Sequence, residues 1–176
     1  MFRALGAEVI DADKIAHSLI QPGTRVYKKV ISAFGRGILK KSGKIERGKL
    51  GKIVFADKKA IIRLNSIIHP QVIKIMGQRI KIARAKIIIL DAPLLIEAGL
   101  KDAVDKLIIV RISRQMQIKR IRAKMRLSRS QILKRIRCQL PLGAKLRLAD
   151  FIIDNNGSLE ETRRQVSLIR RQLWKS

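Results

Sequence analysis

Four short runs rich in Ile or Val punctuate the chain, at Ala7–Asp11, Lys86–Asp91, Lys106–Val110 and Phe151–Asp154, and each gives way to polar or turn-forming residues. Apolar runs of this length with polar stops predict buried parallel strands. Between them the apolar residues recur at helical spacing, and alternation of such strands with helices predicts an α/β fold whose sheet is covered on both faces. The interval between the first two runs is far longer than one crossover needs, so a helical insert is expected over residues 24–84. There Val26, Val30, Ala33 and Phe34 share one helical face, Ser42-Gly43 marks a turn, and Leu50, Ile53 and Val54 form a second face. Ile61, Leu64, Ile67 and Ile68 repeat the pattern ahead of His69-Pro70, where a turn or packing residue is expected. Residues 113–139 set Ile118, Ile121 and Met125 on one stripe among many Arg and Lys, and Ser128 is placed to cap a second helix. That segment predicts a basic helical hairpin.

The chain has 176 residues, 47% of them hydrophobic, enough for one substantial core. No run approaches the roughly 20 apolar residues of a bilayer-spanning helix. The first residues lack the features of a secretory signal, and Cys138 is the single cysteine, so a soluble protein of the reducing cytoplasm is expected. Nothing in the pattern fixes an oligomeric state. The charge changes the picture: 40 Lys+Arg against 13 Asp+Glu give +27, which attracts polyanions non-specifically. These cations are spread along the whole chain, aromatics are few, and no zinc, helix-turn-helix or RNA-recognition signature occurs, so solvated basic faces are favoured over a selective nucleic-acid site.

Ligands of open α/β sheets bind beyond the carboxyl ends of the strands. Three of the four runs end in acids, as Asp11-Ala12-Asp13, Asp91-Ala92-Pro93 and Asp154-Asn155-Asn156-Gly157, whereas the third ends in Val110-Arg111. Any one of these acids has a structural explanation as a helix cap or turn former. Together they predict a polar cleft along one edge of the sheet.

The string Leu5-Gly6-Ala7-Glu8-Val9-Ile10-Asp11-Ala12-Asp13-Lys14-Ile15-Ala16-His17, followed by Gln21-Pro22-Gly23, resembles a stretch of the dephospho-CoA kinase family. Further matches in order are Ile45-Glu46-Arg47-Gly48-Lys49-Leu50-Gly51, Leu64-Asn65 with His69-Pro70, Asp91-Ala92-Pro93-Leu94-Leu95-Ile96-Glu97-Ala98-Gly99-Leu100, Gln139-Leu140-Pro141, and Ile153-Asp154-Asn155. The resemblance implies transfer of the γ-phosphoryl group of ATP to the 3′-hydroxyl of dephospho-CoA, with Mg²⁺, as the last step of coenzyme A synthesis. It implies a P-loop nucleotide kinase-like parallel-sheet core, here without its first strand, over residues 1–23, 85–112 and 140–176. A helical CoA-binding insert would span 24–84 and a basic helical lid 113–139. Asp13 would be the catalytic base. Asp11, Arg47, His69, Pro93, Leu94, Leu95 and Glu97 would meet the acceptor substrate, with Arg47 on a CoA phosphate, Asp11 and His69 also explicable as structural residues, and apolar packing the rival account of the two leucines. Arg120, Lys124, Asn155 and Gly157 would meet ATP; no residue is assigned as a metal ligand.

The family's phosphate loop, G-x-x-x-x-G-K-[ST], does not occur in these residues. Met1–Leu5 reads as the last turns of a helix stopped by Gly6, so the chain is expected to begin inside the first strand-helix unit, with unpaired backbone groups or altered strand pairing between the Lys86 and Lys106 runs. Arg111, Met125 and Gly143-Ala144 also stand where the family often has acids. The alternative to an enzyme is a kinase scaffold that binds RNA or another polyanion through its basic surface. Without the phosphate cradle, the 176-residue polypeptide is expected to show little or no kinase turnover, and an ordinary ATP-dependent rate in a coupled assay contradicts that expectation.

Overall fold

The computed structural model describes residues 1–125 and 127–175, and no helix among them is long and apolar enough to cross a membrane. The chain divides into two compact units, Ile10–Arg84 with Leu90–Ala92, and Met1–Val9 with Ala85–Ile89 and Pro93–Ser176. The four expected strands form as β1 (Glu8–Asp11), β2 (Ile88–Asp91), β3 (Ile108–Arg111) and β4 (Phe151–Asp154). Three start later than the apolar runs do, because flanking backbone groups have other partners. The Ala7 N–H donates to the Phe2 carbonyl, for instance, and the Leu107 N–H to Asp150 Oδ2. β1 pairs with β2, and β3 pairs in parallel with β4 in the register Ile108↔Phe151 to Arg111↔Asp154. The result is two separate two-stranded sheets. Among the described residues no ladder joins β2 to β3, where unpaired backbone groups or an altered pairing are expected.

The first unit is mainly helical, with α1 (Ala12–Leu19), α2 (Arg25–Phe34), α3 (Arg47–Val54) and α4 (Lys58–Ile82). Three of the four starts have a side-chain cap. The Asp11 side chain accepts the Lys14 N–H to cap α1, Thr24 accepts the Tyr27 N–H to cap α2, and Asp57 accepts the Lys59 N–H to cap α4. The core of this unit is Ile20, Val26, Val30, Ile38, Ile45, Leu50 and Val54, against which α4 lays Ile61, Leu64, Ile67 and Ile68. Because Ile20, just past α1, sits in this core, α1 groups with the helices and not, as the expected boundary at residue 23 had it, with the sheet.

His69-Pro70 does not make a turn. Both residues lie inside α4, which runs on for 25 residues. Proline inside a helix removes one backbone hydrogen bond and costs about 3 kcal/mol. The apolar residues that α4 packs against the core on the amino-terminal side of Pro70 offset that cost, and the buried Val72 and Met76 anchor the helix beyond it.

The second unit adds α5 (Arg114–Met125), α6 (Arg129–Arg137), α7 (Leu142–Leu146) and α8 (Leu159–Lys175). Ser128 caps α6 as expected, in a reciprocal box with Gln131. Phe2–Leu5 forms a 3₁₀ turn, tighter than the expected α-helical one, and Gly6 ends it at φ 91°, a left-handed conformation that glycine adopts without strain. Phe2 and Leu5 then pack on Ile153, Val166 and Ile169 between β4 and α8.

Lys145 of α7 reaches Glu97 Oε1 at 2.7 Å and donates to the Pro93 carbonyl at 3.2 Å, while the Leu140 N–H donates to the same Glu97 oxygen. The side chains are 11% and 18% exposed, so water does little to screen the pair. Burial by itself raises the Glu97 carboxyl, but the hydrogen bonds from Lys145 and Leu140 outweigh it and hold the group below its ordinary value. Lys145→Met leaves that carboxylate buried without its cation and is expected to cost about 3 kcal/mol, read as a lower urea midpoint, with much of the loss recovered in the double variant K145M/E97L. Since the folded value is depressed, the contribution of Glu97 is complete above the unfolded-state value of 4.5 and lost as pH falls through the lower folded value. The stability gap between wild type and K145M/E97L measured across acid pH should follow that course.

Candidate active site

In the helical unit, three carboxylates meet at the ends of β1 and β2. Asp11 closes β1 and is committed to α1, its Oδ1 accepting the Lys14 N–H at 2.9 Å and its Oδ2 lying 3.6 Å from Lys14 Nζ. Asp13 stands in the first turn of α1, exposed, and has no hydrogen bond or ion pair among the described residues. Asp91 closes β2 with its residue exposed at the surface. Partial desolvation of the carboxyl, and then the negative charges of Asp11 and Asp13, raise it above the ordinary aspartate range, with Lys14 opposing. The three acids therefore share one electrostatic field. Asp91 was visible in the sequence as a strand-end acid but had been given no role; its position beside two other acids is a tertiary fact. Among the described residues no group of His, Cys, Asp and Glu is arranged to hold a metal ion by itself.

The same unit contains a cavity of about 240 Å³ lined by His17, Ile20, Gln21, Lys40, Lys44, Ile45 and Arg47. Arg47 opens α3 with its side chain exposed, as a phosphate partner requires. His69 does not line this cavity. It is half-buried on α4, where burial lowers its pKa and so disfavours the charged ring.

In the other unit, a cavity of about 460 Å³ brings together Arg120, Asn155 and Gly157 with Phe2, Val110, Ile153 and Leu159. Lys124, one turn beyond Arg120 on α5, is exposed and does not line it. The turn after β4 is built by Asp154, whose Oδ1 accepts both the backbone and side-chain N–H of Asn156 and whose Oδ2 meets Arg111 at 2.8 and 3.0 Å. The Asn156 amide, and then its side chain and Arg111, hold the Asp154 carboxyl below its ordinary value. Asn155 donates its N–H to the Arg111 carbonyl and accepts at Oδ1 from the Thr162 hydroxyl. Gly157 leaves room for Glu161: a Cβ there would fall 2.1 Å from Glu161 Oε2, which accepts the Ser158 N–H at the start of α8.

Of the segment expected to line the acceptor cleft, Leu95 is 6% exposed and belongs to the core, so apolar packing explains it. Leu94 is half-buried. Pro93 and Glu97 are tied to Lys145, which makes Glu97 a strut: one oxygen is engaged twice, and the other is buried without a hydrogen-bond partner. Lys145 had no place in the expected site, and a lysine in a chain with 40 cations gives no sequence signal for burial.

Comparison with known proteins places the chain in a family. The dephospho-CoA kinase profile matches residues 1–161. A dephospho-CoA kinase of Carboxydothermus hydrogenoformans is 44% identical, the alignment covering 99% of this chain and 87% of that protein. One of Geobacillus kaustophilus is 41% identical over 98% of this chain and 87% of its own. Among solved structures, the dephospho-CoA kinase of Campylobacter jejuni superposes with a TM-score of 0.66 at 30% identity, covering 98% of this chain and 88% of that one. A Thermus thermophilus crystal structure superposes at 0.79 with 26% identity, covering 98% and 87%. These names give no support to polyanion binding or to loss of activity. With a profile matched over most of its length and relatives above 40% identity across nearly all of it, the chain belongs to the dephospho-CoA kinase family of transferases.

Proposed function

We propose that the chain serves this reaction with Asp13 as the base for the ribose 3′-hydroxyl of dephospho-CoA and with ATP as phosphoryl donor. The observation that carries the reading is an exposed, unpartnered carboxylate in the first turn of a helix that directly follows a strand, beside Asp91 with its raised pKa. Asp11 differs because its oxygens are taken up by Lys14. As the 3′-oxygen bonds to the γ-phosphorus, its proton passes to an Asp13 oxygen, the bond from the γ-phosphorus to the bridging oxygen breaks, and ADP leaves. Phosphoryl transfer needs alignment and charge neutralisation more than covalent help, so one well-placed carboxylate suffices on the acceptor side.

Arg120, Asn155 and Gly157 are assigned to the nucleotide, since their cavity pairs apolar walls suited to a base with one guanidinium suited to a phosphate. Lys124, a turn from Arg120, remains assigned to the ATP phosphates as a point charge in reach from solvent. Mg²⁺, when bound with ATP, would neutralise phosphate charge; it takes hard oxygen ligands and needs only one or two carboxylates beside phosphates and water. An ATP-using step of coenzyme synthesis places the protein in the cytoplasm.

Two measurements test the assignment of Asp13 without relying on turnover. A carboxylate at the 3′-hydroxyl repels the 3′-phosphate of CoA, so wild type is expected to bind dephospho-CoA roughly tenfold more tightly than CoA, and Asp13→Asn should narrow that preference. An unchanged preference contradicts the assignment. In the same variant one like charge beside Asp91 is gone, so the Asp91 carboxyl should titrate lower by NMR, toward the ordinary aspartate value. Whatever kinase rate wild type shows should fall at least about a hundredfold in Asp13→Asn.

A further inference from the structure

The cavity lined by His17, Gln21, Lys40, Lys44 and Arg47 contains three cations and no acid. In a chain of net charge +27, what sets these cations apart is how they are held. Lys40 and Lys44 face each other across a tight turn. Leu39 and Ile45 form an antiparallel bridge, the Lys40 N–H donates to the Lys44 carbonyl at 2.9 Å, and the Gly43 N–H donates back to the Lys40 carbonyl at 2.9 Å. The Tyr27 hydroxyl donates to the Gly43 carbonyl, fixing the turn to α2, and Gly43 takes φ 76°, which glycine allows. The Glu46 N–H bonds to the Ile38 carbonyl, and the buried Ile38 and Ile45 anchor both arms in the core.

Opposed residues beside such a bridge stand about 5 Å apart at Cβ, and like charges there destabilise the pairing. Neither lysine has an acidic partner among the described residues; the nearby Glu46 is engaged by Lys49 at 3.1 Å. Arg47, two residues past the bridge, adds a fork-shaped donor on the same cavity wall. A rigid turn that holds two lysines face to face, closed by a guanidinium, is matched by an anion with charge on more than one group.

Resting on the proposed function, we infer that Lys40, Lys44 and Arg47 form the subsite for the diphosphate of dephospho-CoA. Lys40 and Lys44 neutralise it from two sides, and Arg47 orients it. The 240 Å³ cavity takes the diphosphate and leaves the rest of the substrate outside.

The test is calorimetric titration of the full chain with dephospho-CoA, inorganic pyrophosphate and ATP, in wild type, K40Q/K44Q and K28Q/K29Q. The last pair removes the same charge from α2, away from the cavity lining. The expected result is a loss of roughly tenfold in affinity for dephospho-CoA and pyrophosphate in K40Q/K44Q only, with ATP affinity unchanged and thermal stability retained or raised. An equal loss in K28Q/K29Q overturns the inference, because the effect is then the general basic field. So does unchanged dephospho-CoA binding in K40Q/K44Q, and so does an equal loss for ATP. If the CoA discrimination by Asp13 survives in those cases, the proposed function stands and only this subsite falls; if wild type binds no dephospho-CoA, both fall.

Discussion

An aspartate at the last residue of a strand must find a donor or bear its neighbours' charge, and the fates of three such residues organise the functional regions of this chain. Asp154 finds both an amide pair on Asn156 and a two-point contact with Arg111 in register across the β3–β4 ladder, and it becomes a turn builder. Asp11 spends its oxygens on the start of α1. Asp91 meets partial desolvation and two acids, and its proton is held more tightly. Asp13, in the first turn of the helix that Asp11 caps, has no hydrogen bond or ion pair among the described residues. The division of labour follows from hydrogen-bond supply, since a carboxylate satisfied by amides is a poor proton acceptor and an unsatisfied one is available for chemistry.

Much of this was legible from residues alone. The four strands were marked by their Ile- and Val-rich runs and polar stops, the caps at Ser128 and Gly6 by residue type, and the helical insert by its spacing. The family could be read from strings such as Asp91-Ala92-Pro93-Leu94-Leu95 and Ile10-Asp11-Ala12-Asp13. Three things were not legible, for separate reasons. His69 read as a turn or packing residue beside a proline that local propensity disfavours in a helix, and packing on both sides carries α4 through. Leu95 read as cleft lining or as apolar packing, and burial, which favours packing, is decided by long-range contacts. Lys145 and Glu97 are 48 residues apart in sequence, and nothing in the composition singles out one lysine among so many.

The excess of cations takes on structure once coordinates separate its members. Lys145 is spent inside the fold, and Arg111 and Lys106 answer Asp154 and Asp150. Arg170 stacks over Trp174. Lys40, Lys44 and Arg47, by contrast, line one cavity without an acid. A charge of +27 is thus a mixture of struts, partners and unanswered groups.

The most direct test of the central claim is a structure of this chain with dephospho-CoA bound. The account predicts the ribose 3′-oxygen within hydrogen-bond reach of an Asp13 carboxylate oxygen, about 2.6–3.2 Å away. A 3′-hydroxyl seated against another acid, or pointing into solvent with Asp13 untouched, contradicts it.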